Sequence, residues 1–491
     1  MNRLNKQMTG KKDRPIKVVQ FGEGNFLRAF VDYMIDIANE KGLFDGDIVL
    51  IKPISFGSLD MFKEQECQYT ISLRGIVEGE AKVLNRQITS VKDIVDCTED
   101  YDKYMALAEI DTLRFVVSNT TEAGVVYDET DKFELNPPKT FPGKLTKFLY
   151  HRFETFKGDM SKGLVMLPVE LIDDNGIMLK KCVMQLIELW GLGDTFKNWV
   201  NEACIFTSTL VDRIVTGYPR ATETEEWEKL GYEDRIMVTG EPFALWIIES
   251  EKDISTELPL DKAMADMIGM DVIFTDNQKP YKQRKVRILN GAHTSFVLAA
   301  YMAGLDIVRD SMQDETIRNF MLKTIYEEVI PTLTLPEEEL KAFAGEVVNR
   351  FNNPYVDHAL LAISLNSVSK WRARCMPSFL GYVEKMGKLP VHLTFSLAAL
   401  MAFYTGTEIR GKALIGNRAG QEYNIMDDMP VLEFFRDNCQ KETKEFVEAF
   451  LGSVDFFGQD LNEVAGLTDA VTAYLDDIKA NGMRAALCKI S

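Results

Sequence analysis

Residues Ile16 to Phe21 (IKVVQF) make a short β-rich run that stops on Gly22-Glu23-Gly24. An amphipathic pattern follows at once, with apolar residues at Phe26, Phe30, Met34 and Ile37. It closes on Gly42, a residue type suited to the position just past a helix end. Strand, tight glycine turn and helix in this order limit the chain to few folds, foremost the opening of a dinucleotide-binding βαβ unit. There the glycines let backbone N–H groups approach a pyrophosphate resting on the helix N-terminus. The fingerprint is partial, since Leu27 stands where a third glycine belongs. A plain strand-to-helix turn fits the same residues.

The next stretches extend a sheet. Asp47 to Lys52 (DIVLIK) suits a second strand, but it ends at Lys52-Pro53 rather than at the acid that commonly bonds the ribose hydroxyls of NAD. On these residues alone, NAD and NADP both remain open. Gln68 to Ile76 and Ala81 to Ile88, joined by VEGE, read as a hairpin inserted into the sheet. After a helix near Asp100 to Ala108, the buried strand Leu113 to Val117 leads into Ser118-Asn119-Thr120-Thr121-Glu122-Ala123-Gly124. Small and hydroxylated residues at such a strand end sit where an open α/β sheet binds ligands. A polar loop with a helix cap fits them equally well. A helix over 144–156 and strands at 164–167, 204–210, 235–239 and 242–249 complete the pattern. Alternation of this kind predicts an α/β, Rossmann-like N-terminal domain with β additions. Turn residues at Thr275 to Pro280 mark its end and set domains of 1–276 and 277–491.

Composition narrows the function. A chain of 491 residues exceeds one hydrophobic core, and a net charge of −19 argues against nucleic acid as a partner. It leaves room for an anionic small molecule held by local Arg or Lys. Seven cysteines, scattered singly, read as reduced thiols of a cytoplasmic protein, and four histidines with no C-x-x-C or H-x-x-x-H pair leave a structural zinc site few candidate ligands. The polar N-terminus lacks the apolar core of a signal peptide. The longest apolar stretch, near Leu393 to Tyr404, falls short of the ~20 residues of a membrane helix.

Beyond Lys279 the periodic stretches are helical, at 294–304, 314–329, 337–351, 391–404, 429–439, 442–451 and 461–480, with strand-like runs nearly absent. The C-terminal domain is therefore expected to be mainly α-helical. It opens with KVRILNGAH (Lys285 to His293), which sets an amine, a carboxamide and an imidazole close together. On a regular helix, Lys285, Asn290 and His293 fall at about 0°, 140° and 80° around the axis. Carbonyl reduction needs a proton donor and a hydrogen-bond donor to the developing alkoxide, and these residue types supply both. The same spacing also fits an exposed lysine, a helix-capping Asn290 and a packed His293.

Four stretches in order, FGEGNFLRAF (Phe21 to Phe30), TTEAG (Thr120 to Gly124), Val211-Asp212-Arg213 and Lys285…Asn290…His293, resemble the mannitol dehydrogenase family of long-chain, metal-independent polyol dehydrogenases. The resemblance covers nearly the whole chain from Ile16 onward. LPVELIDDNG, STLVDRIVTGYP, GEPFALWIIE and NSVSKWRARCMPS are most similar to the branch that interconverts a keto-uronate and its aldonate. This implies NAD(H) as cofactor, no metal, and Lys285 as catalytic acid/base. It implies that Asn290 polarises the carbonyl and that His293 orients the lysine or a substrate hydroxyl. It places the NAD on Val19, Gln20, Phe21, Gly22, Glu23, Gly24, Asn25, Phe26, Leu27, Arg28, Ala29 and Phe30, with Thr120, Thr121 and Glu122, and gives Asp212 a contact with substrate or cofactor. One departure is a second oxyanion-hole Asn that PVELIDDNG does not align cleanly, with Glu170, Leu171 and Asn175 as candidates. Ser208 is another, standing where an Asn is expected.

A uronate also needs a cationic partner for its carboxylate. Lys370-Trp371-Arg372-Ala373-Arg374 offers it, with Arg372 and Arg374 as substrate-binding residues through their bidentate forks. A solvated basic turn is the alternative for this segment. His358 reads as a structural helix residue within reach of the site. The expected activity is thus NAD(H)-dependent reduction of a keto-uronate to an aldonate, on a site that needs no second subunit. A fructuronate reductase or a neutral polyol dehydrogenase of the same family, or a non-catalytic nucleotide-binding sensor, are the other readings.

Overall fold

Successive residues of the strand before the glycine turn serve two different cores. Val18 joins one with Ile48, Leu50, Phe115 and Val117, against Phe30, Met34 and Ile37 of the following helix. Val19 and Phe21 join the other with Val49, Ile51, Val116 and Met166, against Leu145, Phe148, Leu179 and Val183. A strand buried on both faces with period two belongs to the middle of a parallel sheet covered by helices on each side. The structure, a computed structural model, describes residues 1–120 and 123–491. It divides into two compact units, Met1–Gln278 and Lys279–Ser491, each described by itself.

In the first unit, β1 (Ile16–Phe21), β2 (Asp47–Lys52), β3 (Val91–Asp96), β4 (Phe115–Ser118), β5 (Val165–Pro168) and β6 (Ile205–Phe206) form one parallel sheet in the order β3-β2-β1-β4-β5-β6. This is the doubly wound, Rossmann-like order, and the chain direction across the sheet reverses between β1 and β4. Ligands bind outside the strand carboxyl ends at such a point. The hairpin Tyr69–Val77/Glu80–Ile88 does not enter this sheet, contrary to expectation. It pairs instead with Val238–Gly240, which pairs with Val215–Gly217, in a separate four-stranded sheet. Ser208–Asp212, Ala244–Glu249 and Met270–Thr275 make a further three-stranded sheet.

The second unit is mainly helical, as expected. Its centre holds Gly291–Met302 packed on Val391–Phe403, which in turn packs on Leu467–Asn481. The first two helices are apolar nearly all round, the pattern of fully buried helices. The sequence reading missed a small sheet of Ile409–Arg410, Ala413–Arg418 and Gln421–Ile425. Its second hairpin turns at Ala419 and Gly420, with φ of 51° and 86°. Two successive positive φ angles make the turn that matches strand twist, and alanine in place of asparagine hides that signal. Among the described residues three helices contain π turns, at Arg28–Asp32, Lys285–Asn290 and Thr324–Val329. Among the described residues no helix is long and apolar enough to cross a membrane.

Candidate active site

The glycine turn is built for a close approach. Gly22 has φ +126°, and a Cβ there would lie 3.1 Å from Leu27 Cδ1 and 3.6 Å from Asn119 O. Leu27, in the place of the third glycine, is buried and fills the space beneath the turn. Gly24 caps the helix, with no side chain closing its end and open space where a Cβ would sit. A cavity of about 530 Å³ opens here, lined by Gly22, Glu23, Gly24, Asn119, Thr120 and Lys144 among others. Open backbone N–H groups at a helix start, with a lysine beside them, fit the pyrophosphate of a dinucleotide. Burial lowers the pKa of Lys144, whose Nζ donates to Lys139 O at 2.7 Å, and burial raises that of the Glu23 carboxyl.

Of the residues expected to hold the nucleotide, Gly22, Glu23, Gly24 and Thr120 line this cavity. Val19, Phe21, Leu27, Ala29 and Phe30 are core residues, and Phe26 packs partly buried against the cluster that holds Leu27, Ala29 and Phe30. Gln20 is buried and donates from Nε2 to Gly22 O at 3.2 Å. The Arg28 guanidinium donates to Glu23 O (3.0 Å), Asn25 Oδ1 (2.8 Å) and Ile236 O, so Arg28 and Asn25 fasten the helix start. Thr121 and Glu122 lie outside the described residues. Lys52, which ends β2, is taken up by Asp96 at the end of β3, with Nζ 2.6 Å from Oδ2. Burial pushes the Asp96 carboxyl up, but Lys52, Thr98 and two backbone N–H groups outweigh it and bring it to about 2.

The loop after β4 is fixed by Glu170. Its Oε1 accepts from Thr120 N (3.0 Å) and Oγ1 (3.1 Å), and its Oε2 from Ser118 Oγ (3.2 Å). Asn175 is fully spent. Its amide donates to Pro168 O, Glu170 O and Thr209 O and accepts from Gly176 N and Thr209 N. Leu171 is exposed and has no donor side chain. Asp212 ends its strand, nearly buried, in the first unit. The neighbouring Arg213 donates to Phe243 O and Pro242 O, both at 2.9 Å, and to Ala29 O, so it holds the fold.

In the second unit, Lys285–Asn290 is a π turn rather than regular α-helix. The Gly291 N–H donates back to Val286 O, five residues earlier, as well as to Ile288 O. A turn closed by i→i+5 bonds stacks residues five apart. Five residues make little more than one turn of such a segment, so Lys285 and Asn290 fall closer in angle than on a regular helix, and His293 follows Asn290 at i+3. All three are half-buried. The His293 ring stacks on Phe351 with centroids 4.2 Å apart and meets His358 edge-on at 5.5 Å. Its Nε2 is buried without a hydrogen-bond partner. Burial, and then His358, Arg350, Arg374 and Lys370, hold its pKa well below the ordinary imidazole value, so the ring is neutral at neutral pH.

Arg374 and Lys370 come to this place, and Arg372 does not. Arg374 Nη1 lies 3.4 Å from Thr294 Oγ1, beside His293. A Cβ on Gly291 would meet Arg374 O at 3.2 Å, so glycine lets the Ser367–Arg374 helix dock directly under the 290–294 segment. Arg372 is exposed, with Nη1 3.5 Å from Asp455 O. The sequence reading missed Phe351 and Gly291, whose roles depend on contacts that no local pattern announces.

The sheet order and the glycine turn, followed by a helical second unit, define a class, a Rossmann-type dehydrogenase with a helical second domain. The mannitol dehydrogenase Rossmann domain matches residues 16–262 and the mannitol dehydrogenase C-terminal domain matches residues 277–479, so the chain belongs to the mannitol dehydrogenase family. Altronate oxidoreductase of Bacteroides thetaiotaomicron is 43% identical over 484 residues, 98% of each chain. Altronate oxidoreductase of Yersinia enterocolitica is 44% identical over 498 residues, the full length of both. In fold, the chain is similar to D-sorbitol dehydrogenase in substrate-free form (TM-score 0.78, 19% identity, 99% and 100% of the two chains). It is also similar to Pseudomonas fluorescens mannitol 2-dehydrogenase in ternary complex with NAD and D-mannitol (TM-score 0.65, 20% identity, 99% of each chain).

Proposed function

We propose that this protein is an NAD(H)-dependent oxidoreductase that interconverts D-tagaturonate and D-altronate. The reading rests on Lys285 and Asn290 standing on one π turn with His293 three residues on, in a chain 42–44% identical over its length to altronate oxidoreductases. The nicotinamide, when bound, supplies or takes the hydride. In reduction, the Lys285 ammonium gives its proton to the ketone oxygen as negative charge develops there. The Asn290 amide donates a hydrogen bond to the same oxygen and lowers the barrier most where the charge is largest. His293, neutral and with an unpartnered Nε2, orients a substrate hydroxyl or the lysine. In oxidation the neutral lysine amine takes the proton back. The cofactor is read as NAD rather than NADP because Lys52, the cation at the end of β2, is already paired with Asp96. A cytoplasmic setting suits the cysteines, six of which are buried and unpaired among the described residues.

NADH consumption, followed by absorbance with D-tagaturonate, D-fructuronate and neutral ketoses, tests the assignment. D-Tagaturonate is expected to give the highest kcat/KM. Turnover confined to neutral ketoses, or NADH binding without any turnover, would contradict it.

A further inference from the structure

We infer that Arg374 and Lys370, on the helix that brings Arg374 to Thr294 beside His293, form the subsite that takes the substrate carboxylate. This rests on the keto-uronate reading above and deepens it. Lys370 and Arg374 stand four residues apart on the Ser367–Arg374 helix and so share a face, while Arg372 lies on the opposite one. Neither cation has an ion-pair partner among the described residues. Lys370 Nζ donates to Ile363 O at 2.8 Å and Arg374 Nη1 to Thr294 Oγ1 at 3.4 Å, both neutral oxygens. The carboxylate whose charge Lys370 feels, Asp427, is spent on Tyr404 Oη and the Val368 N–H.

Two half-buried like charges side by side are unfavourable until an anion joins them. Burial, and for Lys370 the neighbouring Arg374, already disfavour the charged forms. The orphaned His293 Nε2 is an independent sign that a polar ligand belongs here. A carboxylate has acceptor sites enough to take the guanidinium fork and the ammonium together.

The chemistry of a 2-keto-hexuronate fits this layout, because its carbonyl and its carboxylate lie toward opposite ends of a six-carbon chain. With the carbonyl at Lys285 and Asn290 and the carboxylate on Arg374, the hydroxyls between them come to His293. A neutral ketose would fill the same space and leave both cations unpaired. The subsite therefore rejects neutral sugars as well as attracting uronates.

The test compares wild type, Arg374→Gln and Lys370→Gln on D-tagaturonate and on D-tagatose, which carries –CH2OH in place of the carboxylate. Thermal melting of each variant verifies folding. For D-tagaturonate, KM is expected to rise about 10–100-fold in each variant with kcat nearly unchanged, the loss of a hydrogen bond to a charged group. For D-tagatose, kcat/KM is expected to stay level or rise. An unchanged KM for D-tagaturonate, an equal loss on both sugars, or a KM effect in Arg372→Gln instead, would overturn the subsite and leave the proposed activity standing. Failure of the wild type to reduce D-tagaturonate would overturn the activity itself, and the subsite with it.

Discussion

Beneath the glycine turn, Gln20 Oε1 and Asp32 Oδ1 are both buried acceptors without a donor. Gln20 lies within hydrogen-bonding reach of the Asp32 carboxyl, and burial raises that carboxyl to about 7 against the opposing pull of Tyr69, Arg28 and Gln20. A proton on Asp32 would satisfy both orphans while Gln20 Nε2 keeps its bond to Gly22 O. Between about pH 4 and 7 the folded chain then holds a proton that the unfolded chain releases, so this group's contribution to stability falls as pH rises. Asp32→Asn, with a permanent donor, is expected to melt with a shallower pH dependence, the difference reaching at most ~1.4 kcal/mol per pH unit across that window. Parallel melting curves from pH 5 to 8 would contradict the shared proton. Residue identity was well marked in the sequence, and residue direction was not. Arg372 and Arg374 offer the same chemistry, but only the docked helix shows that one reaches Thr294, next to His293, and the other meets Asp455. Arg28 reads as a nucleotide contact from its place in the fingerprint, and its guanidinium is spent on Glu23 O, Asn25 and Ile236 O.

At the scale of elements, the π turn at Lys285–Asn290 carries the account. Gly291→Ala places a methyl 3.2 Å from Arg374 O. It should cost about 1–3 kcal/mol in denaturant stability, because a packed backbone must give way. The periodic apolar runs made the long helices and the first, second, fourth and fifth sheet strands legible. β3 escaped because Val91–Asp96 interleaves Lys92, Asp93 and Asp96 with its apolar residues. A six-residue window of apolar spacing does not distinguish i+4 from i+5 closure, so the π turn was invisible too.

For the molecule as a whole, the division of labour follows the division of the chain. The first unit carries the glycine turn and its cavity, and the second carries Lys285, Asn290 and His293. A lesion at Lys285 should therefore separate chemistry from cofactor binding. The direct test is kcat of Lys285→Ala on D-tagaturonate, paired with NADH affinity from the quenching or enhancement of nicotinamide fluorescence. Loss of the acid/base group predicts a fall of about 10²–10⁴-fold in kcat with NADH affinity unchanged. Wild-type turnover by Lys285→Ala would contradict the account.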